Sequence, residues 1–527
     1  MADLGTLLAN PFVVAILVYL LALVGVGVWK ARGVQDSADF MVAGRSLPWF
    51  VLVGTLLATW IGNGSLFGGA GLGYRNGLAG AWSSAGAWIG IVLVWFIATR
   101  VRRFGQVTVP DIFAARFNDT AAVLASIITI IAYLTIVSYQ FAGGGRVLSV
   151  VTDGTISVEA GIVITAVFAI TYTVLAGLVS VVYTDVVNGI LMIFGILAAL
   201  AFLLVEVGGF NEVVAAAEAA GKWSLFGNWE NERATAASGP IIAISFFVPT
   251  MLLLMGDANM YQRIFGARSA GTAKKAVLIW VFGVMLLETS IYFLGLTGSV
   301  AAGQGIIPEL FPGAGPADTA ANLSENVIPV IATQAVPLFV GMLLVATMMA
   351  IIVSTADSFL LVPATNLTRD VYQRFLNRSA PERRVLWISR GSVLLLGFVA
   401  YLLVDQFPTI LAAAYTAYLV YGAGITPGIL AAFLWKRATS TGAIASILCG
   451  GGATLLWTFY LSRQDYFAGW HPMLQEVTYP AVTLSVLALV VGSLVTPAPD
   501  PSKWAPFWRT SDDETEGDRI ATASGRS

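Results

Sequence analysis

The stretch Ala58-Thr59-Trp60-Ile61-Gly62-Asn63-Gly64-Ser65 sets an amide and two glycines inside an apolar run over residues 48–74. A membrane helix needs ~20 apolar residues to cross a ~30 Å hydrocarbon core, so the run is long enough to span. Lipid offers Asn63 no hydrogen-bond partner, and glycine weakens helical continuity, so the run reads as a membrane helix broken near its middle. Such breaks expose backbone carbonyls that can replace an ion's hydration shell, which is where transporters hold ions and solutes. Close helix packing is the plainer account of Gly68, Gly69, Gly71 and Gly73.

A second run, 239–262, is interrupted in a similar way by Met255-Gly256-Asp257-Ala258-Asn259. About thirteen apolar runs of spanning length surround these two: 11–29, 48–74, 80–99, 121–146, 157–178, 181–207, 239–262, 275–301, 336–366, 385–404, 408–434, 440–462 and 478–496. The broken runs open two five-helix blocks, 48–207 and 239–434, the spacing an inverted repeat produces. Residues 1–47 then hold an extra helix and a cytoplasmic loop, 208–238 an extracellular connection, 435–496 two further helices, and 497–527 a polar tail expected to be disordered. The chain reads as an all-α integral membrane protein.

Composition agrees. The 527 residues are 57% hydrophobic and 11% charged, with net charge −2, against roughly 25% charged residues in soluble domains. That charge balance argues against nucleic acid as a partner. One cysteine, Cys449, and one histidine, His471, exclude a disulfide framework, a Cys/His zinc site and a histidine triad. Placing the N-terminus outside puts 22 of the 28 basic residues in cytoplasmic segments, Arg263 among them, and leaves five outside with Arg390 inside a run. This positive-inside bias predicts an N-out, C-in topology.

Ionisable groups inside a span cost roughly 2.5–3.5 kcal/mol on insertion scales, so each needs a reason. They are Asp185, Asp257, Glu288, Asp357 and Arg390. Around Asp357, Ile351, Ser354, Thr355 and Ser358 recur at helical spacing and share a face. Adjacent hydroxyls facing unwound carbonyls would make an all-oxygen cage suited to a hard cation. Hydroxyls bonding back to i−4 carbonyls fit the same spacing equally well, although the nearby carboxylate favours a cation.

The chain resembles the sodium:solute symporters, the family of glucose, proline, pantothenate, sialic-acid and choline carriers. The resemblance rests on Asp39-Phe40-Met41-Val42-Ala43-Gly44-Arg45-Ser46-Leu47-Pro48-Trp49, Ala176-Gly177-Leu178-Val179-Ser180-Val181-Val182-Tyr183-Thr184-Asp185-Val186-Val187, Tyr261-Gln262-Arg263, Ser354-Thr355-Ala356-Asp357-Ser358 and Asp370-Val371-Tyr372. It implies a leucine-transporter-like fold of two inverted five-helix repeats. It also implies sodium as the co-transported ion, with no organic cofactor, no transition metal and no obligate protein partner. The family's sodium site falls on the carbonyls of Ala58, Ile61 and Ile351 and the hydroxyls of Ser354 and Thr355. A second site, present in some members, falls on Asp185, Ser354, Asp357 and Ser358. Asp357 departs from the serine-like residue expected there, and Asp185 is alternatively part of the ion's exit path.

The solute is expected between the broken helices, near Trp60, Asn63, Ser65, Asp257 and Asn259. Gly64-Ser65 stands where sugar carriers have an acid and amide pair, which argues against a hexose. Trp60 resembles the tryptophan with which choline carriers hold a quaternary ammonium by cation–π attraction, and Asp257 would add a counter-charge. The second broken helix lacks the tryptophan of those carriers, so an amine or a zwitterion such as proline fits nearly as well. A carboxylate such as pantothenate or sialic acid is the alternative solute. Glu288 and Arg390 are read as structural pairing between helices. A membrane sensor, the remote alternative, would need a kinase domain with a phosphoacceptor histidine, and no enzymatic constellation is present. Low cysteine content points to a bacterial inner membrane.

Overall fold

In the computed structural model, which describes residues 4–31, 46–104, 108–227, 229, 239–310, 323–377, 379–461 and 470–508, the chain is helical, and no β-strand occurs among the described residues. Eleven helices there are long and apolar enough to cross a membrane, and the shorter apolar helices Pro11–Gly27 and Trp49–Trp60 accompany them. Each of the thirteen apolar runs contains helix. Large apolar side chains such as Phe96, Phe194, Phe282 and Phe339 face outward, as they must where the surrounding solvent is hydrocarbon.

Glycine sets one junction directly. Val158–Glu206 is made of two helices that meet at a kink at Gly177, whose φ of 64° and ψ of 172° lie outside the helical range. The turn divides it into the spans Val158–Leu175 and Ser180–Glu206. A residue with a Cβ would be strained there.

The interrupted helices lie side by side at one end. The Leu47 N–H donates to the Gly266 carbonyl (3.1 Å) and the Arg268 N–H to the Leu47 carbonyl (3.0 Å), tying the start of the first to the end of the second. The helix Ile410–Gly424, which carries Tyr415, Tyr418 and Tyr421, begins on the Glu325 carboxylate. That carboxylate accepts from the Ile410 N–H (3.1 Å) and Leu411 N–H (2.8 Å) and pairs with Arg146 at 2.7 Å. An anion at a helix N-terminus also complements the helix dipole.

Two expectations are corrected. The first part of the tail is ordered: Pro501–Trp504 and Ala505–Trp508 are helical, and Phe507 is buried and stacked on Phe104 with centroids 4.1 Å apart. Aromatic burial offsets the ordering entropy that polar tails cannot meet. Arg263, expected in a cytoplasmic segment, is fully buried. The family stretch 39–45, residues 230–238 of the extracellular connection and the tail from 509 onward lie outside the described residues.

Candidate functional site

The first interrupted helix runs Trp49–Trp60 and breaks at Ile61, whose backbone is extended (φ −71°, ψ 105°). It resumes in the wide turn Gly64–Gly69 and the helix Ala70–Asn76. Opposite the break runs Leu338–Asn366, with every residue from Thr347 to Asn366 buried. The Ser354 hydroxyl donates to the Ala58 carbonyl (3.1 Å) and reaches the Ile351 carbonyl (3.4 Å), and the Thr355 hydroxyl donates to the Ile61 carbonyl (3.1 Å). The five residues expected to hold sodium therefore converge from chain positions nearly 300 residues apart. Their donors are three carbonyl and two hydroxyl oxygens, without nitrogen or sulfur, a set that suits a hard cation.

A second polar cluster lies one helical turn away. The Arg263 guanidinium donates through Nε to Thr55 Oγ1 (2.8 Å) and through Nη2 to Ser358 Oγ (2.7 Å) and Asp185 Oδ2 (3.3 Å). Asp185 Oδ2 also accepts from Thr55 at 2.6 Å, and the Ser358 hydroxyl donates to Asp357 Oδ1 at 3.3 Å. Asp185, Asp357 and Ser358, the residues on which the resemblance places a second sodium site or an exit path, thus lie around Arg263, which the sequence reading places in a cytoplasmic segment. The signal was present: Tyr261-Gln262-Arg263 is one of the stretches carrying the resemblance, and a buried carboxylate needs a counter-charge.

The residues expected around the solute separate into two groups. Trp60 and Ser65 line a cavity with Thr250, Glu288, Tyr415 and Tyr418. Gly64 also lines it; a Cβ there would collide with the Tyr418 hydroxyl. Glu288 Oε1 accepts from Trp60 Nε1 and from Ser65 Oγ, each at 2.9 Å. Asn63, Asp257 and Asn259 are not among the lining residues. The Asn63 amide instead donates to the carbonyls of Tyr139 (3.2 Å) and Gln140 (3.1 Å). Asp257 caps the helix Ala258–Gly266, accepting from the Met260 N–H at 3.0 Å. Asn259 is fully buried on that same helix. Glu288, read from the sequence as structural pairing between helices, meets Trp60 and Ser65 more than 220 residues away, a contact that no periodicity reports. Arg390 stands over the Trp387 ring at 5.7 Å.

Residues 40–450 match the family model of the sodium:solute symporter family. The chain belongs to the sodium:solute symporter family. It is 26% identical over 505 residues to the sodium/proline symporter of Salmonella typhimurium, covering 93% of this chain and 94% of that one. It is 28% identical over 455 residues to the sodium/glucose cotransporter of Vibrio parahaemolyticus, covering 82% of each. Its fold matches that of a sodium-coupled sialic acid symporter solved in a substrate-bound outward-open state. The TM-score is 0.77 at 18% identity, covering 93% of this chain and 98% of the other. The fold is leucine-transporter-like, and the chain is a sodium-coupled transporter of a small-molecule solute rather than an enzyme.

Proposed function

We propose that sodium binds between the carbonyls of Ala58, Ile61 and Ile351 and the hydroxyls of Ser354 and Thr355, and that the solute occupies the cavity beside Trp60 and Ser65. The observation that carries this reading is the convergence of those five oxygens, with Ser354 on Ala58 and Thr355 on Ile61, each at 3.1 Å. A cation held there bridges the first interrupted helix to the helix Leu338–Asn366. Trp60, in the same break, reaches Glu288 across the cavity. Sodium binding thereby fixes the backbone from which the solute cavity is built, which couples the two ligands by mutual stabilisation. Each sodium crossing at 100 mV supplies ~2.3 kcal/mol, enough for roughly fifty-fold accumulation of solute.

Asp185, Asp357 and Ser358 are assigned to the sodium exit path rather than to a second sodium site. Arg263 supports this, since its guanidinium already supplies the cation between Asp185 and Ser358. The inverted repeats are taken as 48–207 and 239–434. The distribution of basic residues supports an N-out, C-in chain, and the low cysteine content fits a bacterial inner membrane.

The test is sodium-gradient-driven uptake into proteoliposomes by the wild type, Ser354→Ala and Thr355→Ala. Both variants should need more sodium for half-maximal uptake while keeping their order of preference among solutes. Wild-type sodium affinity in both would overturn the assignment.

A further inference from the structure

The cavity beside Trp60 is lined by hydroxyls, aromatic rings and one carboxylate, Glu288, the single Asp, Glu, Lys or Arg among its described lining residues. Glu288 sits in the helix Ala270–Gly303 and is 4% exposed. Its Oε1 is held in place by Trp60 and Ser65, one from each side of the break in the first interrupted helix. Its Oε2 has no hydrogen-bond partner among the described residues, though Ser84 stands alongside. A buried carboxylate without a paired cation is costly, and one oriented by two donors with its second oxygen open is arranged to receive a positive group. Trp60, Tyr415 and Tyr418 line the same cavity, and aromatic rings are groups that attract an organic cation.

We infer that Glu288 receives the positively charged amino or ammonium group of the transported solute, so that this symporter carries an amine, a quaternary ammonium compound or a zwitterion. The inference rests on the reading above that the cavity holds the solute. It moves the counter-charge from Asp257, whose carboxylate is engaged as a helix cap away from the cavity, to a residue 31 positions later in the chain. It also disfavours solutes whose only charge is negative, because no lysine or arginine lines the cavity among the described residues.

The experiment uses the full chain in proteoliposomes under a sodium gradient, with radiolabelled choline, L-proline, glucose and pantothenate as probes. Sodium binding is followed separately by equilibrium binding of radioactive sodium. Choline or proline should be taken up. Glu288→Gln should raise KM for that probe about tenfold or more, a margin beyond ordinary variation between preparations, and Glu288→Asp should fall between. Sodium affinity in both variants should stay within about twofold, which also shows that they fold. Uptake of glucose or pantothenate alone overturns the inference, as does no response to any probe or an unchanged KM in Glu288→Gln. Uptake of an uncharged probe driven by a pH gradient and lost in Glu288→Gln overturns it too, since Glu288 would then carry a proton. Absence of sodium binding in the wild type would instead break the sodium reading and leave the cause distinguishable.

Discussion

The two interrupted helices look alike in sequence and differ in how their broken backbones are satisfied. At the second break, fixed groups serve the exposed backbone. Tyr421 donates to the Gly256 carbonyl (2.7 Å), Tyr261 to the Met255 carbonyl (3.0 Å), and Thr426 to the Leu252 carbonyl (2.6 Å). The Tyr133 hydroxyl accepts from the Ala258 N–H at 2.7 Å, and Asp257 caps the helix that follows. At the first break, Gln140 Oε1 accepts from the Asn63 N–H (3.2 Å), and the side chains that reach the carbonyls of Ala58 and Ile61 among the described residues are the small hydroxyls of Ser354 and Thr355. Tyrosines clamp one break, whereas the other faces groups that can themselves coordinate. On the proposed reading, the break that takes sodium is the one whose partners are able to share their oxygens with a third body.

The largest effect is expected where the two breaks are joined. Arg263 belongs to the helix after the second break and holds Thr55 in the helix before the first. Arg263→Leu leaves Asp185 buried without its partner and should destabilise the protein by ~3–5 kcal/mol, seen as a large fall in thermal unfolding temperature in detergent. A shift of only a degree or two would mean the breaks are mechanically independent. Next come Ser354→Ala and Thr355→Ala, each expected to weaken sodium activation about tenfold, or ~1.4 kcal/mol, in sodium titrations of uptake. Tyr421→Phe strands the Gly256 carbonyl and should cost ~1–3 kcal/mol of stability while leaving sodium affinity unchanged, as read by thermal unfolding with and without sodium. The smallest effect is expected for Asp257→Ser, which preserves a good N-cap; stability should change by under ~1 kcal/mol and solute KM should stay at its wild-type value. A large rise in KM there would make the second break a ligand site after all.

Much of this was legible in the chain. The apolar runs located the helices, and glycines beside Asn63 and Asp257 marked both breaks, because hydrocarbon leaves few ways to satisfy a polar residue. The five oxygen donors at Ala58, Ile61, Ile351, Ser354 and Thr355 came from motif positions, and their convergence is a property of the structure. What escaped depended on distance through space. Asp257 and Glu288 are both acids inside apolar runs, and composition cannot say that one turns back to cap its own helix while the other crosses to Trp60. Arg263 reads as a cytoplasmic charge because it directly follows the apolar run 239–262. Burial among Thr55, Asp185 and Ser358 is visible only once four helices are assembled.

The elbow at Gly177 joins Val158–Leu175 to Ser180–Glu206 without a connecting loop. Two rods sharing one short joint cannot slide past each other along their axes, so a tilt of the first is delivered to the second as rotation about that point. Asp185 sits little more than two turns beyond the joint, where its carboxylate meets the Arg263 guanidinium. The elbow therefore acts as a fixed corner, setting the register at which Asp185 faces Arg263.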